Sequence, residues 1–164
     1  MDVLEGLLAH DDALTTELLA RACSLPEGVL DQTFDTNIDV LYGGATLRSI
    51  LGQLVGTKER WAAALTGRFR TGDELDDIES LQSRYERAGS DFLAIATSAL
   101  REGRSEEMII DASCDPPHTF TVGGAIAHVL TFAVLRRSVA LGFLSSAGVS
   151  DLGFGDPSGY IAEH

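Results

Sequence analysis

Apolar residues recur every three to four positions in four long stretches of the chain, which is the spacing of one face of an α-helix. These stretches predict helices over residues 2–23, 46–65, 74–102 and 122–147. Proline or glycine follows each stretch, and both residues commonly end helices. The residues in question are Pro26, Gly67, Gly103 and Gly148. We therefore expect four amphipathic helices that bury their apolar stripes against one another.

The fourth stretch is the most apolar. Its inward face is expected to carry Ile126, Val129, Leu130, Ala133, Ala140, Leu141 and Leu144. On the second stretch the corresponding residues are Leu47, Ile50, Leu51, Leu54, Trp61 and Leu65. Trp61, and Phe132 on the fourth stretch, are expected to pack in the core rather than to form a platform for a ligand.

Two short β-like runs, 107–112 and 118–122, flank the sequence Asp115-Pro-Pro between the third and fourth helices. This pattern predicts a small hairpin or extended excursion. The glycine-rich tail after residue 148 is expected to pack back through Leu152, Phe154 and Tyr160. The 164 residues contain no repeat or linker and suit a single domain, 1–164. The fold class is all-α, a four-helix bundle with a short β-like excursion before the last helix.

The chain is strongly acidic, with 25 acidic and 12 basic side chains and a net charge of −13. Such a surface repels phosphate backbones and anionic headgroups, so we expect neither nucleic-acid nor membrane binding. The nearly uncharged run 119–135 is shorter than the roughly 20 residues of a membrane span, which favours a buried core helix. The acidic start, Met1-Asp-Val-Leu-Glu, lacks the positive region of a secretory signal. We expect a cytoplasmic protein.

Cys23 and Cys114 have no metal-type spacing. Two free or buried thiols are expected, with a single disulfide as the alternative. Glycine-rich phosphate loops, Gly-x-Ser-x-Gly, Cys-x-x-Cys and His-Glu-x-x-His motifs are absent from the sequence. The acidic run 73–79 lacks the spacing of a calcium loop and indicates a helix N-terminus instead.

Helical bundles build binding sites from side chains that project inward from facing helices. The candidates on the second and fourth helices are Gln53, Thr57, Lys58, His128, Phe132 and Arg136. The last three are four residues apart, so they lie on one face of the fourth helix. His10 and His118 are expected at the surface, with no tie to a site.

Three segments carry a resemblance to a known family. They are Leu47-Arg-Ser-Ile-Leu-Gly-Gln-Leu-Val-Gly-Thr-Lys-Glu-Arg-Trp61, His128-Val-Leu-Thr-Phe-Ala-Val-Leu-Arg-Arg137 and Gly148-Val-Ser-Asp-Leu-Gly-Phe-Gly-Asp-Pro157. In order and spacing they resemble the DinB/YfiT-like four-helix bundles, over nearly the whole chain. The resemblance implies a divalent-metal site with one histidine on the second helix and an i, i+4 histidine pair on the fourth.

The positions that match those histidines are occupied here by Gln53, Phe132 and Arg136. Glutamine is a weak ligand for zinc or nickel, phenylalanine is none, and arginine does not lose its proton. A fixed positive charge also repels a dication. We therefore expect no metal and no other cofactor.

Each remaining candidate has two interpretations. His128 is either a relic ligand or proton-transfer group, or a core histidine with one satisfied nitrogen. Arg136 either clamps a carboxylate or phosphate in the former metal pocket, or pairs with an acidic residue or reaches solvent. Gln53 is either a hydrogen-bonding group of that pocket or a surface glutamine.

Three hypotheses for function follow. The first is a metal-free member of the family whose central pocket, lined by Gln53, His128, Phe132 and Arg136, binds a small anionic ligand. The second is a divalent-metal-dependent thiol S-transferase or hydrolase with a rearranged site that includes His128. The third is a non-catalytic structural or interaction protein, expected to be a homodimer. The sequence assigns no reaction to the chain.

Overall fold

The computed structural model describes residues 2–33, 44–68, 77–112, 115–152 and 155–163. Several sequence-based expectations lie outside these residues. They concern the start of the third helix before residue 77, most of the acidic run 73–79, Cys114 and Phe154.

The four predicted helices and the predicted hairpin are confirmed. The long helices are α1 (Val3–Cys23), α3 (Leu47–Leu65), α4 (Ile78–Arg101) and α5 (Val122–Ser146). Strands β1 (Met108–Asp111) and β2 (His118–Thr121) pair antiparallel, with Met108 opposite Thr121 and Asp111 opposite His118. Two short helices were not predicted: α2 (Glu27–Leu30) and α6 (Pro157–Glu163).

Side-chain caps begin the long helices. The carboxylate of Asp2 accepts from the amide of Leu4 (2.8 Å), and that of Asp77 accepts from the amide of Ser80 (2.9 Å). Thr46 and Ser49 form a reciprocal capping box at the start of α3, and Thr121 caps α5. These bonds satisfy amides that have no partner within the helix. Asp77 lies inside the predicted range 74–102 of the third helix. In the structure it is the N-cap of α4, and the helix begins at Ile78.

The bundle has α1 and α3 at opposite corners, and each packs against both α4 and α5. The hairpin lies over α3 and α5, through β1 and β2 respectively, and α6 packs on α1. The tail packs back as expected through two of its residues. Leu152 contacts the core, and the ring of Tyr160 lies 5.3 Å from that of His10.

Two apolar clusters fill the bundle. One lies around Leu18, Leu19, Ile50, Leu51, Leu81 and Leu144, and the other around Leu8, Trp61, Phe92, Ile126 and Val129. Trp61 is therefore a core residue, as expected. The two clusters supply the apolar burial that drives folding of the chain.

A layer of buried charge lies where the two clusters meet. The Asp11 carboxylate of α1 accepts from Lys58 of α3 with one oxygen and from Arg137 of α5 with the other. Their side chains are 2%, 3% and 9% exposed, respectively. Arg137 also donates to Thr15 Oγ1 (3.2 Å), and the Lys58 ammonium lies 4.6 Å from the ring centre of Phe92. The three charges sum to +1, in a place with little water to screen them.

A second buried group adjoins this layer. The Tyr85 hydroxyl donates to Asp12 Oδ1 (3.0 Å). Burial and the nearby carboxylates of Asp11 and Asp12 raise the pKa of Tyr85 far above its usual range, so it stays a donor. Gly89 leaves room for this pair, because a Cβ there would lie 2.5 Å from Asp12 Oδ1.

Helix α5 is long and apolar enough, by length and composition alone, to cross a membrane. The sequence-based count gave a shorter run because it stopped before Arg136. Within this bundle α5 packs against α1 and α3 and buries Ile126, Val129 and Ala133. The face of α5 that carries these three residues packs in the core.

Cys23 is a free, half-buried thiol whose sulfur lies 3.1 Å from Gln82 Oε1. Burial, with the nearby charge of Glu79, raises the pKa of this thiol. A raised pKa lowers the thiolate fraction and makes the thiol less reactive.

The charge layer predicts that substitutions of Asp11 and Lys58 lower the free energy of unfolding by unequal amounts. Asp11→Asn leaves two buried cations without an anion, and we expect a loss of about 3–5 kcal/mol in the free energy of unfolding. Lys58→Met leaves Asp11 paired with Arg137, so its loss should be less than half as large. Urea unfolding followed by circular dichroism measures both.

Arg21→Gln is the control, because Arg21 and Glu17 form an exposed i, i+4 pair. Such pairs contribute roughly 0.3–0.5 kcal/mol. A Lys58→Met variant that is destabilised as much as Asp11→Asn contradicts the shared-carboxylate interpretation.

Candidate functional site

The four residues singled out from the sequence lie together in a row between α3 and α5. Arg136 Nε donates to Gln53 Oε1 (3.3 Å), and its Nη1 donates to Thr57 Oγ1 (2.9 Å). Phe132 lies one turn before Arg136, and His128 one turn before Phe132. We call these four residues, Gln53, His128, Phe132 and Arg136, the Arg136 row.

Aromatic contacts continue along the row. The guanidinium carbon of Arg136 lies 5.4 Å from the ring centre of Phe132, within the range of a cation–π contact. The ring centres of Phe132 and His128 are 4.5 Å apart, and His128 lies 5.4 Å from Trp61. The guanidinium is thus held by two acceptors and by an aromatic ring.

The row lies nearer the surface than expected. Gln53 and His128 are exposed, while Phe132 and Arg136 are half-buried. The interpretation of His128 as a core histidine is therefore wrong, and the four residues lie at the surface along the contact between α3 and α5. The physical reason is helical rotation. Positions 128, 132 and 136 each precede a buried residue by one, and one residue turns a helix by about 100°.

The electrostatics of the row are positive. Within the described ranges no carboxylate lies within ion-pair distance of Arg136, whose described hydrogen-bond partners are Gln53 and Thr57, so the alternative in which it pairs with an acidic residue is not found there. Desolvation, then the charges of Arg136 and Arg60, lower the pKa of His128. Its imidazole is therefore neutral near pH 7, with one donor and one acceptor nitrogen.

The row offers little to a metal ion. Among the described residues no group of three or more histidine, cysteine, aspartate or glutamate side chains is placed to hold one. Gln53 and His128 are the two side chains of the row with a donor atom for a metal, and the Arg136 charge lies beside them.

A second candidate site was missed by the sequence analysis. A cavity of about 350 Å³ lies between α1 and α5 and is partly covered by the tail. Leucines and Val134 form most of its wall: Leu7, Leu14, Leu18, Leu130, Leu141 and Leu152. His10, Asp11 and Arg137 also line it. We call it the α1/α5 cavity.

His10 was expected at the surface, and this expectation is wrong. The residue is 7% exposed, because α6 brings Tyr160 against its ring. Burial, and then the charge of Arg137, lower the pKa of His10, against smaller opposing effects of Asp11 and Asp156. His118, in contrast, is exposed as expected.

The signal for Arg137 was present in the sequence. Ala133 and Ala140 were assigned to the inward face, and residue 137 follows one by four and precedes the other by three. The same spacing places Asp11 between Leu8 and Leu18 on α1. The family resemblance, in contrast, points to Arg136.

The charge of Arg136 should be measurable at His128. We expect Arg136→Gln to raise the pKa of His128 part of the way towards the ordinary value of about 6.5, since desolvation remains. The imidazole Cε1–H resonance, followed by NMR against pH, measures it. Arg101→Gln is the control, because Arg101 pairs with Glu5 elsewhere. A His128 pKa that is unchanged or lowered in Arg136→Gln contradicts the assignment.

The lowered pKa of His10 predicts a pH-dependent stability. As pH falls below about 6.5, the unfolded chain binds a proton at His10 before the folded chain does, so the fold loses stability. Wild-type protein should therefore lose more stability than His10→Gln between pH 7.5 and 5. Urea unfolding at each pH measures the difference. Equal losses in the two proteins contradict a neutral, buried His10.

Comparison of the sequence with models of known protein families gives no match, and comparison with curated proteins gives none. The geometry of the two sites therefore carries the functional argument.

Proposed function

We propose that this chain is a DinB/YfiT-like bundle in which a fixed cation has replaced the metal, and that it binds a small anion at Arg136. One observation carries the proposal. Arg136 is oriented by two neutral acceptors and has no acidic partner among the described residues, in a chain with a net charge of −13.

The orientation of the guanidinium suits an anion. Gln53 engages Nε and Thr57 engages Nη1, which leaves N–H groups of Nη1 and Nη2 for a ligand. Two parallel N–H groups match the two oxygens of a carboxylate or phosphate. Phe132 lies against the guanidinium, and His128 offers a neutral donor and acceptor further along the row.

The family resemblance supports the same proposal from the sequence side. The helical architecture with a hairpin before the last long helix agrees with it, and the three matching positions carry Gln53, Phe132 and Arg136. The guanidinium keeps a positive charge where the resemblance implies a metal. The homodimer and the cytoplasmic location stay predictions of the sequence.

Titration with inorganic phosphate and with benzoate, followed by NMR through the backbone amide resonances of α3 and α5, which wild type and all variants retain, tests the proposal. We expect saturable binding that is weakened about 10- to 100-fold by Arg136→Gln, since hydrogen bonds to charged groups contribute roughly 1.5–3 kcal/mol each. Gln53→Leu should weaken binding less, because it removes only a support.

Arg101→Gln is the matched control, and it should bind both anions as wild type does. Binding that is equal in wild type and Arg136→Gln would overturn the proposal. Stoichiometric zinc, nickel or iron in protein purified without a histidine tag would overturn it as well, in favour of a rearranged metal site at His128.

A further inference from the structure

The lining of the α1/α5 cavity has an apolar part and a polar part, which suits a ligand with an apolar end and a polar end. Leucine side chains form much of its lining, and ionisable side chains form another part: His10, Asp11, Glu17, Arg21 and Arg137. At about 350 Å³ it lies within the range of small-molecule sites, roughly 300–1,000 Å³. Its rim includes the exposed Thr131, Val134 and Ser138, and Val134 is 56% exposed. The cavity therefore has a route to solvent.

His10 is a buried polar side chain that lacks a hydrogen-bond partner in the described part of the chain. It contacts the ring of Tyr160, and neither of its nitrogens makes a hydrogen bond with a described residue. Unsatisfied buried polar groups are rare and each requires an explanation. A ligand in the cavity that His10 lines would satisfy it.

Arg137 provides a second set of unused donors on the same wall. Its Nη1 donates to Asp11 and Thr15, whereas Nε and Nη2 have no partner among the residues described. Asp11 is shared with Lys58, so two buried cations share one carboxylate beside the cavity. Glu17 and Arg21 also line the cavity, and they pair with each other. A ligand carboxylate that accepts from Arg137 would add a second acceptor for the two buried cations.

We propose that the α1/α5 cavity binds an amphipathic monocarboxylate. Its hydrocarbon part lies along Leu7, Leu14 and Leu130, and its carboxylate accepts from His10 and Arg137. This site is separate from the Arg136 row, because adjacent residues of α5 point to different neighbours: Arg136 contacts α3, and Arg137 contacts α1.

Isothermal titration calorimetry of the full chain with decanoate and decanol, both below their aggregation concentrations, tests the proposal. We expect decanoate to bind about 10- to 100-fold more tightly than decanol, on the scale of charge-assisted hydrogen bonds. Equal affinities, or no binding of decanoate, would overturn it.

Three variants locate the ligand. His10→Leu should weaken decanoate about 10-fold or more without weakening decanol, because it removes only a polar partner. Val134→Trp changes an exposed rim residue, so the chain should fold, and the indole should block both ligands. Arg136→Gln is the matched control and should bind decanoate as wild type does. Loss of decanoate binding in Arg136→Gln, or unchanged binding in Val134→Trp, would overturn the proposal.

Phosphate titration separates this proposal from the one above, because His10→Leu and Val134→Trp should keep phosphate binding at Arg136. A second copy of the chain is the competing occupant. Light scattering of the ligand-free protein tests this alternative. If wild type is a dimer and Val134→Trp is a monomer, the cavity rim around Val134 is an interface between two copies, and the proposal of carboxylate binding is overturned.

Discussion

The Asp11 carboxylate is the group on which the arrangement of the bundle depends. It is a single buried anion that accepts from two buried cations, Lys58 and Arg137, which come from two other helices. Apolar stripes tolerate small rotations and shifts of a helix, whereas a desolvated charge without its partner is strongly destabilising. The layer therefore fixes α1, α3 and α5 relative to one another at the level where the two apolar clusters meet.

One consequence concerns the two neighbouring arginines of α5. Because Arg137 is held towards Asp11, Arg136 must lie about 100° around the helix, towards α3. There it finds Thr57 and Gln53, which accept hydrogen bonds but carry no charge. The same helix thus places one guanidinium in the core, where it shares a buried carboxylate with Lys58, and the next guanidinium against α3, where its described acceptors carry no charge.

The sequence predicted the architecture well and the sites in part. Helical spacing and terminal glycines located the long helices, since both are local signals. The Arg136 row was assembled correctly from residues that are distant in sequence, because the family resemblance supplied that pairing. The row was predicted to be more buried than it is. The sequence did contain a signal for its exposure, because positions 128, 132 and 136 are each offset by one residue from the buried stripe. Burial of His10 was not readable, because it depends on Tyr160 of the tail helix, about 150 residues further along the chain.

In the proposed function a guanidinium stands where the family resemblance implies a metal, and this limits what the proposed anion site can do. A metal ion with open positions polarises an oxygen and lowers the pKa of bound water, which makes it a source of hydroxide. A guanidinium donates hydrogen bonds in one plane and keeps its proton, so it attracts and orients an anion without activating water. His128, neutral and exposed beside Phe132, is the row's proton acceptor, and no described carboxylate lies at the row to assist it. The residues of the row therefore favour binding over hydrolysis, and the acidic surface restricts anions to places where such donors converge.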